Sequence, residues 1–286
     1  MDDLSFAKTF YPSSKLVPYL SNLTAQLHTS VYANKKEKKG RFLAFWKYEV
    51  PKASYECRKE LLYSLIIFSI AIAVGVFSTM QDDSYVNQIL SDQYVNMTLE
   101  NIEKGDPMAV YKSADESSMF VGITSNNVRV SFLAYVVGIL GSIPTGLILT
   151  FNGVMVGAFI TFFFKKGLLW IALTTIFIHG ALELSAIVIA GGAGLALGNS
   201  FLFPKTYKRS TSLLAGAKRS LKVIIGLVPV FIVAGALESF VTRHYLEIGS
   251  IGRVLIILLS FAFIIWYFII YPAQVKNYDP EETVST

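Results

Sequence analysis

In the stretch HGALELSAIVIAGGAGLALG, residues 179–198, a histidine and a carboxylate stand one helical turn apart in a run made almost wholly of alanine, glycine and large aliphatic residues. At this i, i+4 spacing His179 and Glu183 share one face of a helix. A neutral imidazole can donate to the carboxylate there, and a protonated one forms a charge-assisted pair. Holding an ionised group at bilayer depth costs about 2.5–3.5 kcal/mol on insertion scales, so both side chains should face a protein interior or water. Two readings fit. One is a proton or cation site that Glu238 of VAGALESFVTR and Asn152 of NGVMVG help to build; the other is a structural pair that fixes helix register. A rise of 1.5 Å per residue places Glu238 about 10 Å from the depth of His179, where Arg243 competes for it. HGALE alone supplies two metal ligands, and a catalytic zinc takes three plus a water. His28 and His244 lie far off in the chain, so no metal and no cofactor are expected.

The elements that position these residues follow from composition. The chain has 286 residues, 53% of them hydrophobic and only 16% charged, and a mean hydropathy of +0.52. That balance is too apolar for an ordinary soluble globule and fits an all-α, polytopic transmembrane helical bundle. The net charge of +5 does not point to nucleic acid, because the basic residues flank apolar runs as membrane borders do. One cysteine, Cys57, excludes an internal disulfide framework and a cysteine metal cage. No Walker-type loop, G-x-S-x-G elbow or dinucleotide fingerprint is present, since the glycines of AGGAGLALG lie in an apolar span and follow no strand. The acidic start MDDLSFAKTF lacks the apolar core of a signal peptide, which leaves the first span to direct insertion.

Residues 1–60 read as cytoplasmic amphipathic and juxtamembrane helices: Leu16, Leu20, Leu23, Leu27 and Val31 form one stripe, and Phe42, Phe45, Trp46 and Tyr48 interleave with Lys47, Lys52, Arg58 and Lys59. The first span covers 61–80. The polar segment 81–127 carries eight acidic residues against two lysines, and with the basic cluster before it this places the N-terminus inside and the segment outside. A transmembrane bundle over 128–272 follows, with spans at about 128–146, 148–164, 168–197, 223–241 and 253–271, and 273–286 as a disordered tail.

The apolar stretch 128–164 would make a helix of about 55 Å, well beyond a hydrocarbon core of about 30 Å. A break within 141–153 is therefore expected, from Gly141 and Pro144 or from the Asn152-Gly153 turn pair. Six crossings keep both termini in the cytoplasm and leave Lys165 and Lys166 as the exceptions to the positive-inside rule; five crossings move the basic loop 203–222 outside, so six are preferred. Ala186, Ala190, Gly194 and Gly198 form a thin stripe that admits a close neighbour, and Gly138, Gly153, Gly157 and Gly180 are further sites of close packing or helix breakage. Such stripes serve association between chains as readily as within one, which leaves a homodimer open.

Four segments in this order, NNVRVSFLAYVVGIL, FNGVMVGAFITFFF, HGALELSAIVIAGGAGLALGNSFLFP and AGALESFVTR, resemble the stage II sporulation protein M family of integral membrane proteins. DDLSFAKTFYP and ENIEKGDPMAVYK are similar to a branch from non-sporulating Bacteroidota-type bacteria. The resemblance implies a bacterial inner-membrane protein and a non-enzymatic scaffold, like the sporulation member that holds a peptidoglycan-degrading assembly at the membrane. It carries the family's conserved-type positions to His179, Gly180, Glu183, Asn152, Gly153 and Glu238. The long acidic segment 81–127 departs from a minimal member, and more chain is expected ahead of DDLSFAKTFYP. Partners on this reading are the lipid bilayer and cell-envelope proteins, with no nucleic acid. The competing function is a small proton- or cation-linked transporter built on His179 and Glu183.

Overall fold

The computed structural model describes residues 2–32, 41–112 and 115–277, with the side chains of residues 2, 3 and 26–32 left aside. Among these residues every regular element is a helix. They are α1 (Asp2–Phe10), α2 (Leu16–Tyr32), α3 (Arg41–Ala44), α4 (Val50–Glu56), α5 (Arg58–Gln81), α6 (Tyr85–Leu90), α7 (Asp92–Glu103), α8 (Glu116–Val136), α9 (Ile143–Lys165), α10 (Leu169–Leu202), α11 (Arg209–Ala236), α12 (Tyr245–Ile265) and α13 (Tyr271–Val275).

The chain divides into two units, Met1–Leu43 and Ala44–Thr286. In the first, α1 and α2 pack on each other. The expected helix is present over Leu16–Tyr32, and it leaves Leu16 and Leu23 exposed, whereas the Leu27 and Val31 side chains and most of the KKEKKGR run fall outside the description. The boundary expected near residue 60 lies earlier. Val50, Ala53 and Cys57 are buried, and α4 packs on α11 and α13. The apolar face of this juxtamembrane stretch is thus used up inside the second unit.

Among the described residues of the second unit, five helical stretches are long and apolar enough to cross a membrane: Arg58–Gln81, Glu116–Leu140, Ile143–Lys165, Leu169–Leu202 and Arg209–Val275. The last doubles back. Lys222 pairs with Glu49 at 2.8 Å and the Tyr267 hydroxyl donates to the Trp46 carbonyl at 2.6 Å, so both limbs meet the same end of the bundle. The turn lies at the opposite end, where a π-turn over Leu237–Val241, a 3-10 turn over Thr242–His244 and Gly249 at φ 68° redirect the chain. Among the described residues six long helices, α5 and α8 to α12, therefore make up the bundle.

The break in the long apolar stretch falls at Gly141, in the left-handed region at φ 96°, and Ser142, with Pro144 in the first turn of α9. Asn152 and Gly153 do not break the chain; they lie in mid-helix. There Gly153 and Gly157 let α9 lie against α5, since a Cβ at Gly153 would come within 2.8 Å of the Phe68 carbonyl oxygen. Close van der Waals packing of this kind drives association where lipid removes the hydrophobic force between helices. The helix before the break also starts earlier than its apolar stretch, at Glu116, capped by the Asp115 carboxylate, which accepts from the Ser118 amide at 3.2 Å.

At 34 residues α10 is the longest single helix, and it is the axis on which α5, α8, α9, α11 and α12 pack. Its stripe Ala186, Ala190, Gly194 and Gly198 is fully enclosed. Gly194 faces the Ala134 carbonyl and Gly198 faces Gly138 and Ser142, so these small residues serve contacts within the chain. Gly180 differs: a Cβ there would meet Ile176 at an ordinary 3.5 Å, so no close approach requires glycine at that position. Hydroxyls bind the helices further, with Ser64 donating to the Val188 carbonyl at 2.6 Å and Thr145 to the Ala134 carbonyl at 2.7 Å.

The acidic segment folds as a cap on the other end of the bundle. Tyr245, fully buried, donates its hydroxyl to Asp106 at 2.7 Å; Lys112 holds the other Asp106 oxygen at 2.6 Å; Arg243 pairs with Glu116 at 2.8 Å. Lys165 pairs with Asp83 and donates to the Thr79 carbonyl at 2.6 Å. The lysine that broke the charge rule is thus neutralised by the acidic segment.

Partial burial opposes the charge on Asp106, but hydrogen bonds from Lys112 and Tyr245 outweigh it and hold the carboxyl below its ordinary range. Because this pKa is depressed on folding, the stabilisation is present above about pH 4, the ordinary aspartate value, and is lost only as pH falls through the lower folded value. Thermal unfolding of wild type against Asp106→Asn should show a gap that is constant from pH 7 to 5 and closes only in stronger acid.

Candidate functional site

The site is built by three helical segments. The first third of α10 brings His179 and Glu183, one turn apart on one face, as their spacing requires. The π-turn after α11 brings Glu238 across to them. One atom from each of His179, Glu183 and Glu238 lies within 4.8 Å of the others, and His179 Nε2 stands 3.8 Å from Glu238 Oε2. The expected depth offset of Glu238 does not hold, because α11 gives way to the wider π-turn at Leu237 and swings the glutamate inward. Nor does Arg243 take Glu238, since it pairs with Glu116.

Asn152 is not part of the cluster. Its amide donates to the Ile148 carbonyl of its own helix at 2.8 Å, which satisfies the side chain locally.

Sequence reasoning missed three neighbours. Thr242, buried, lies 3.1 Å from His179 Nδ1 and donates its own hydroxyl proton to the Leu237 carbonyl at 3.0 Å. A carbonyl only accepts, so the threonine oxygen must accept from the imidazole, and Nδ1 carries the proton. The Nε2 lone pair is thereby left facing the carboxylates. Tyr111, from the acidic cap, sets its ring edge-on to the imidazole with centroids 5.4 Å apart. Asn127 of α8, buried, stands beside Glu183 without closing a hydrogen bond from its amide nitrogen. Thr242 follows Glu238 at i+4 and could have been found by helical spacing; no local pattern ties Tyr111 or Asn127 to a site more than fifty positions away.

The cluster opens on one side to a cavity of about 330 Å³, lined by Tyr94, Tyr111, Phe159, His179, Gly180 and Glu183 among others. On the far side of the cluster Gly194 and Gly198 of α10 lie against the backbone of α8 and of the turn before α9, while a second cavity of about 580 Å³ shares Val156, Ile160, Phe177 and Leu184 with the first. A second ionisable group the sequence left unremarked is Arg253, which is buried. It donates to Thr175 Oγ1 at 3.1 Å, Ser250 Oγ at 3.0 Å and the Gly249 carbonyl at 3.3 Å, so its charge is carried by neutral acceptors.

A bundle of long apolar helices around the largely buried α10, with ionisable side chains facing inward, defines a helical membrane protein. Residues 64–243 match the stage II sporulation protein M family, and the chain belongs to that family. Residues 1–33 match a domain of unknown function. No curated protein and no solved structure matches the chain.

Proposed function

We propose that the protein is a non-enzymatic scaffold of the bacterial inner membrane that holds cell-envelope proteins against its outer helical cap. The observation that carries this reading is the firmly tied cap on a closely packed bundle. Tyr245, Lys165 and Arg243 each fasten the acidic segment to the helices, while Gly194 and Gly198 hold α10 against the backbone of α8 and of the turn before α9. A platform held this way can transmit position to a partner. Asp82, Asp92, Glu100 and Glu103 stay exposed on the cap and offer an acidic face to basic partner surfaces.

Orientation follows from charge. Lys205, Lys208, Arg209, Lys218 and Lys222 cluster at the end that also receives Glu49, which favours that end in the cytoplasm together with both termini. Exposed Leu62, Leu133, Leu147, Leu255 and Leu258 supply a surface for lipid. The small-residue stripes are taken up within the chain, so a homodimer would have to use another face. In the N-terminal unit, the exposed Leu16 and Leu23 of α2 offer a second docking surface on the cytoplasmic side.

Photo-crosslinking in cells tests the scaffold. A probe replacing Glu100 should capture a discrete set of envelope proteins, and a probe replacing the lipid-facing Leu133 should not. Equal capture at both positions, or none at Glu100, contradicts the reading.

A further inference from the structure

We propose that His179, Glu183 and Glu238 form a binding site for one divalent transition-metal ion, with Zn2+ the best match. Three observations converge. The three ligand atoms lie within 4.8 Å of one another, and the His179 to Glu238 separation of 3.8 Å is close to the ~3.4 Å between neighbouring ligands of a tetrahedral ion with bonds of about 2.0–2.2 Å. The His179 to Glu238 pair reaches that spacing by a contraction of ~0.4 Å, and a pair at the 4.8 Å limit by a side-chain shift of about 1.4 Å.

The second observation is the tautomer. The Thr242 oxygen accepts from the Nδ1–H while its hydroxyl donates to the Leu237 carbonyl, so the Nε2 lone pair points at the carboxylates. Such a partner on the far nitrogen is what orients a metal-bound histidine. With the imidazole neutral, no cationic side chain faces the centre of the cluster, and among the described residues no lysine or arginine pairs with Glu183 or Glu238. A divalent cation at that centre supplies the positive charge that two buried carboxylates need.

The third is the surroundings. The buried Asn127 stands beside Glu183 with an amide nitrogen that closes no hydrogen bond, placed to steady the carboxylate once it is fixed. The cavity of about 330 Å³ gives entry from one side and leaves a fourth position for water. An imidazole with two carboxylates suits zinc, manganese or iron over the all-oxygen shells of magnesium and calcium.

An ion here would tie α10 to the turn after α11, at the level where Tyr111 of the cap touches the imidazole. Binding would therefore stiffen the seat of the cap. The proposal is independent of the scaffold reading, because occupancy is read on the purified chain with no partner present.

The test uses the full chain in lipid nanodiscs, stripped with chelator, titrated with Zn2+ and then with Mn2+, and read by metal content and melting temperature. One Zn2+ per chain and a raised melting temperature are expected, with millimolar Mg2+ failing to compete. Glu238→Gln and Glu183→Gln keep side-chain shape and should each weaken binding at least tenfold, while His244→Gln, at an exposed pair with Glu247, should leave it unchanged. The proposal is overturned if wild type takes up no stoichiometric ion, if the two glutamine variants bind as wild type does, or if His244→Gln abolishes binding.

Discussion

Gly194→Val should prevent the protein from accumulating in a folded, monodisperse form. A Cβ at Gly194 would come within 2.5 Å of the Ala134 carbonyl oxygen and 2.9 Å of Thr145 Oγ1, which itself donates to that carbonyl. Overpacking costs about 1–3 kcal/mol where side chains can give way. Here the obstacle is backbone, and relief requires α8 to part from α10, breaking the Thr145 bond as it does so. Gly180→Ala is the matched control. Its new methyl meets only ordinary contacts, and replacing glycine in a helix interior gains up to about 1 kcal/mol. Thermal size-exclusion profiles of the two variants should move in opposite directions.

Tyr245→Ala should loosen the acidic cap while leaving the bundle assembled. The ring is fully buried at the turn into α12, sits near the Lys112 ammonium at 5.6 Å and the Arg253 guanidinium at 5.8 Å, and carries the hydroxyl that reaches Asp106. Truncating a buried aromatic costs about 3–5 kcal/mol, and the Asp106 carboxylate loses a donor as well. Tyr245→Phe keeps the ring and should cost only the hydrogen bond to a charged group, about 1.5–3 kcal/mol. Limited proteolysis should cut within 82–112 fastest in the alanine variant, more slowly in the phenylalanine variant and slowest in wild type.

The helical class and the pairing of His179 with Glu183 were legible because each rests on local periodicity, which a helix preserves. The break near Gly141 and Pro144 was legible for the same reason, since both residues act on their own backbone. Asn152-Gly153 misled because turn propensity assumes that the chain is free to turn. In a bundle Gly153 is held in the helix by what it allows, the approach of α5, and Asn152 satisfies its amide on its own helix. The place of Glu238 was missed because a uniform rise per residue ignores the π-turn at Leu237–Val241. Tyr111 and Asn127 reach the site from other parts of the chain, and nothing in their own neighbourhoods announces it. The juxtamembrane stretch 44–57 read as a headgroup anchor from its aromatic and basic pattern. That pattern cannot reveal that Val50 and Cys57 are wholly buried against other helices.

The measurement that bears most directly on the proposed scaffold role is ion flux in proteoliposomes. With purified wild-type protein, H+, K+, Mn2+ and Zn2+ should cross no faster than in protein-free vesicles, even where Zn2+ binding at His179, Glu183 and Glu238 is measurable on the same preparation. A saturable flux that disappears in Glu183→Gln would contradict the scaffold and make the buried cluster part of a transport path.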